Sequence, residues 1–82
     1  MGKVKESKNG DTWNYQVFCV VSKSEKHPPY YCIKEVYRGV TGINWTLDEI
    51  APIGDTKEDV IAILTMMLKD AKYYEVHTEY VD

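Results

Sequence analysis

The sequence predicts an α+β domain: a three-stranded antiparallel meander followed by one C-terminal helix packed on one sheet face, a β-β-β-α order. Three observations carry this. Alternating stretches rich in Tyr, Val, Ile and Trp fill residues 13–51, punctuated by Gly and Pro. One apolar pattern of helical period follows within residues 53–74. The whole chain has 82 residues, enough for one small core and no more.

The first strand is "WNYQVFCVVS", Trp13 to Ser22. Its odd positions, Trp13, Tyr15, Val17, Cys19 and Val21, make an apolar face, while the even ones turn from polar (Asn14, Gln16) to apolar (Phe18, Val20). "KSEKHPP" breaks the pattern with two prolines that cannot continue a ladder. The second strand, "YYCIKEVYR" from Tyr30 to Arg38, returns antiparallel. It places Tyr31, Ile33, Glu35 and Tyr37 on one face, so a carboxylate sits among apolar neighbours. After the turn "GVTG", "INWTLDEIA" supplies a third strand from Ile43 to Ala51, stopped by Pro52.

The helix has the strongest signal. Asp55 with Glu58, or Thr56 with Asp59, offers an N-cap and its acidic partner three residues on. Val60, Ile61, Leu64, Met67, Leu68 and Ala71 recur at core-facing spacing, and Lys69 and Lys72 suit the negative end of the helix dipole. Ile63 and Met66 widen the apolar arc beyond what one sheet needs. The tail "EVHTEYVD" alternates weakly and fits either a short extra edge strand or an extended segment. The expected organisation is a flexible lysine-rich arm over 1–12, one domain over 13–75 and a tail over 76–82.

The pieces "WNYQV", "YYCIKEVY", "WT" and "IAPIGDTKEDVIAILTMML", in that order, resemble a family of small uncharacterised bacterial and phage-borne proteins. The resemblance runs from Trp13 to about Ala71. It implies a compact cytoplasmic domain and brings no activity with it. Gln16 stands where the family usually has Arg, and "RGVTGI" lacks the acidic turn common there.

Charge and cysteine content narrow the chemistry. The net charge is −3, with seven Lys/Arg against four Asp/Glu in residues 1–38 and three against nine in residues 39–82. An acidic chain does not draw in a phosphate backbone, which counts against nucleic acid as the partner. Two cysteines are too few for a disulfide scaffold. Cys19 and Cys32 meet only in one hairpin register, since a slip of one residue puts them on opposite faces. No apolar run approaches the ~20 residues of a membrane span, and a cytoplasmic location is the expectation.

No nucleophile, second carboxylate or ligand set accompanies Glu35 at a usable spacing, so catalytic residues, metal and cofactor are all expected to be none. The expected function is a non-enzymatic protein-interaction or regulatory module, self-associating as a homo-oligomer. Its candidate partner surface is Tyr15, Tyr31, Glu35 and Tyr37 on the sheet with Ile63 and Met66 on the helix. An alternative is a nucleic-acid-associated regulator stacking bases on the aromatic hairpin. A small enzyme or ligand-binding protein built on Glu35 comes third.

Overall fold

A computed structural model of the chain describes residues 12–82. The predicted N-terminal arm therefore lies outside the described residues, except Thr12, which opens the first strand. The elements are β1 (Thr12–Ser22), β2 (Tyr30–Gly39), β3 (Gly42–Trp45), α1 (Lys57–Tyr73) and β4 (His77–Val81). They form one four-stranded mixed sheet in the order β3-β2-β1-β4. The pairs β1–β2 and β2–β3 are antiparallel, and β4 runs parallel to β1.

The predicted meander and helix are present, with one correction, and the tail takes the first of its two expected forms. The third strand stops at Trp45 rather than Ala51. Beyond it, single hydrogen bonds from Thr46 and Ile50 to the Glu35 and Ile33 carbonyls keep the chain beside β2. The tail is the fourth strand, giving β-β-β-α-β. Its weak alternation has a physical cause: the half-buried positions are His77, Glu79 and Val81, of which only valine is plainly apolar.

The turn between β2 and β3 is tight. Gly39 pairs with Gly42 across Val40 and Thr41, and Gly42 has a φ of 121°, in the region that favours glycine. The β1–β2 loop is fastened by the chain's last residue. Asp82 Oδ1 accepts from the Ser24 N–H at 3.1 Å and from the Ser24 hydroxyl at 2.8 Å.

The register divides the core. Phe18 lies opposite Cys32 and His77, Asn14 opposite Val36, and Val36 opposite Trp45. Phe18, Val20 and Val36 are the buried cluster on this face, with Cys32, Trp45 and Val81 packed against it. β3 and β4 are the two edges, and in a flat sheet they would stand about 14 Å apart at ~4.8 Å per step. Yet the Trp45 and His77 rings lie 4.7 Å apart over Phe18. The sheet is curled until its edge side chains touch.

α1 packs on β1. Its N-cap is Thr56, whose hydroxyl accepts the Asp59 N–H at 3.1 Å, the second of the two predicted caps. Met67 and Asp70 are its buried residues. β4 joins β1 only from Phe18 onward, so the first half of β1 has an open side. There Asp70 Oδ2 accepts the Tyr15 backbone N–H at 3.0 Å, and Gln16 Nε2 donates to the Glu75 carbonyl at 2.8 Å. Side chain and loop replace the missing ladder.

Candidate interaction surface

The helix presents a different face to the sheet from the one its spacing predicted. Met67 and Asp70 are buried, and Val60, Ile63, Met66 and Ala71 are half-buried. Ile61, Leu64 and Leu68, assigned to the core by sequence, are 50%, 48% and 58% exposed. At roughly 100° of turn per residue these three sit about a quarter-turn round the helix from Met67. They form an aliphatic stripe along the half-exposed flank of the helix. The apolar arc is wider than the sheet can cover, and Asp70, drawn in to serve Tyr15, fixes which part is covered.

The sequence-predicted surface residues separate accordingly. Tyr15 and Glu35 face each other across β1 and β2, and both are buried. Tyr31 and Tyr37, on the same face by alternation, remain exposed. Ile63 and Met66 stand half-buried on the covered side of α1. The exposed apolar surface of the helix is therefore the neighbouring stripe, which the spacing alone could not single out.

Glu35 is held rather than presented. The Tyr37 hydroxyl donates to Glu35 Oε1, and the Thr46 hydroxyl accepts the Glu35 backbone N–H at 3.2 Å. The hydrogen bond to Glu35, ahead of burial and the nearby negative charge, pushes the Tyr37 pKa up to about 12. The carboxylate that looked out of place in "YYCIKEVYR" is a structural acceptor for its neighbour two residues along.

The opposite, concave face hides a second polar device. Lys34, buried, gives one hydrogen bond to Glu79 Oε1 at 2.7 Å and another to the Leu47 carbonyl at 2.9 Å. Its ammonium also lies 5.6 Å from the Phe18 ring centroid. Trp45 Nε1 donates to the other carboxylate oxygen of Glu79 at 3.1 Å. Burial pushes the Glu79 carboxyl up, but the bonds from Lys34 and Trp45 outweigh it and hold the group below its ordinary range. This network ties β2, β3 and β4 together beneath the curl.

Beside it lies a cavity of about 120 Å³ floored by Phe18, Val36 and Trp45, with Arg38 among its lining. Arg38 is already engaged: it donates to Asn14 Oδ1 at 2.6 Å and Gln16 Oε1 at 3.2 Å, with its guanidinium 5.1 Å from the Tyr74 ring.

Cys19 pairs with Tyr31 and Cys32 with Phe18, so the two thiols are on opposite faces and both are free. Burial pushes the Cys32 thiol up, away from the reactive range. His77 packs against Phe18 and Trp45. Among the described residues no three of His, Cys, Asp and Glu converge as a metal-ligand set. Nor is any helix among them long and apolar enough to cross a membrane. Compared with known proteins, the chain matches no family model, no curated protein and no solved structure.

Proposed function

We propose that this chain is a non-enzymatic interaction module that works by self-association, in the cytoplasm. The observation that carries this reading is the stripe Ile61–Leu64–Leu68. Three large aliphatic side chains, each about half exposed, are aligned on one helix face of a very small domain. Scattered surface apolar residues need no explanation, whereas a contiguous row of them on a rigid element marks a contact surface. The exposed Tyr31 and Tyr37 offer a second, smaller patch on the sheet.

A nucleic-acid partner draws less support. Of the cations nearest the aromatic hairpin, Lys34 is buried against Glu79 and Arg38 is held by Asn14 and Gln16. The lysines that remain exposed, Lys23 and Lys26, sit at the hairpin loop.

Multi-angle light scattering over a concentration series tests the reading. The expected result is a mass that rises from one chain toward two as the protein is concentrated into the high micromolar range. A single-chain mass at every concentration would overturn it.

A further inference from the structure

We propose that the cavity on the concave face is a ligand site for a carboxylate carried on a short apolar group. None of its described lining residues belongs to α1, so the site is separate from the helix stripe and does not depend on self-association. The curl of the sheet makes it. Trp45 on one edge strand and His77 on the other close over Phe18, and the space beside them measures about 120 Å³. An apolar cavity of roughly 150 Å³ admits a benzene ring, so this one takes a branched aliphatic group of about four carbons. It is too small for a nucleotide or a cofactor ring system. Its apolar walls are Phe18, Val36 and Trp45, with the exposed Ile43 beside them.

Charge names the other half of the ligand. Arg38 lines the same cavity and is half-buried. Two of its five guanidinium N–H groups are occupied by neutral amide oxygens, of Asn14 at 2.6 Å and Gln16 at 3.2 Å. Among the described residues no carboxylate pairs with it, in contrast to Lys34 on the same strand, whose charge Glu79 neutralises. The two amides and the Tyr74 ring, 5.1 Å away, hold the guanidinium in place, so a carboxylate meets a fork already oriented. The His77 imidazole adds a donor: it lines the cavity and makes no hydrogen bond to another described residue. Glu79, on the same face, is held by Lys34 and Trp45 and does not line the cavity, so it offers little repulsion. A free short-chain acid and the last residue of a peptide both carry the chemistry this site reads.

NMR titrations of the full-length chain at constant ionic strength test the site with three probes. Isovalerate has both the carboxylate and the branched chain, isovaleramide lacks the charge, and acetate lacks the apolar group. The expected result is a saturable response to isovalerate, with shifts at the Arg38 Nε–H, the Trp45 Nε1–H and the Phe18 and Val36 amides. Its affinity should exceed that of either other probe at least tenfold. No saturable shift up to about 50 mM isovalerate, shifts centred elsewhere, or equal binding of the amide would overturn the proposal. Ile43→Trp, which fills the cavity from an exposed position, should abolish the response in a chain whose spectrum keeps the native fold. Arg38→Met should bring acid and amide to the same affinity. Full binding by Ile43→Trp, or a retained preference for the acid in Arg38→Met, would count equally against the site. N-acetyl-leucine, with the same isobutyl group and carboxylate on a peptide unit, separates the two sources. Binding as tight as that of isovalerate supports the site as a reader of chain ends, and exclusion beside bound isovalerate supports it as a site for a free acid.

Discussion

Lys34 is a cation taken out of water at the centre of β2, and its environment explains how that is tolerated. Glu79 supplies the counter-charge, Leu47 a carbonyl, and Phe18 a ring face. Removing one member of such a pair leaves the other partly buried charge without its counter-ion. Lys34→Met is therefore expected to cost about 3–5 kcal/mol in urea unfolding, whereas Lys34→Met with Glu79→Leu recovers most of the loss. Strictly additive losses would show that the pair is not coupled. Two titrating groups shape the pH dependence from opposite sides. Glu79 sits below its ordinary 4.5 in the folded chain, so its contribution is complete above that pH and is lost as pH falls through the lower folded value. Glu79→Gln should flatten the acid limb of a melting-temperature profile. Tyr37 is raised from 10.0 to about 12, so its contribution is complete below pH 10 and is lost as pH rises toward 12. Tyr37→Phe should flatten that alkaline limb, and an unchanged slope would contradict the Glu35 hydrogen bond.

At the scale of elements, the entry to α1 is specified by two residues. Thr56 caps the helix through its hydroxyl, so Thr56→Ala should lower stability by about 1 kcal/mol while Thr56→Ser stays near the parent chain. Gly54, in the segment "APIG", lies so close to the first turn that an added Cβ would meet Asp59 Cβ at 2.5 Å and Val60 N at 3.3 Å. Gly54→Ala is therefore expected to destabilise by roughly 1–3 kcal/mol, as overpacking does elsewhere. An equal or higher melting temperature would refute that close approach. The elements legible in the sequence were those whose signals are local. The hairpin strands, the glycine turn, and the cap and length of α1 all follow from alternation, turn chemistry and helical period. β4 was only weakly legible because Glu79 faces inward to meet Lys34, forty-five residues earlier, and no local pattern announces such a pairing. The outward turn of Ile61, Leu64 and Leu68 was misread for a related reason. Their spacing suits a core face equally well, and Asp70, bound to Tyr15 across the chain, settles the rotation.

The described residues form a curled four-stranded sheet with two unlike faces. One is lined by Phe18, Trp45 and His77 beside the Lys34–Glu79 pair. The other supports a helix whose apolar arc exceeds what the sheet can cover. That excess makes the candidate surface a property of the assembled fold. The residues were visible in the sequence, but their outward direction appears only once the helix is seated. The most direct test of the central claim is a dilution series of amide NMR spectra from the uniformly labelled chain. The account predicts concentration-dependent shifts clustered at Ile61, Leu64, Leu68 and their helical neighbours, with β1 and β2 unchanged. Spectra that do not change on dilution, or changes confined to Tyr31 and Tyr37, would contradict it.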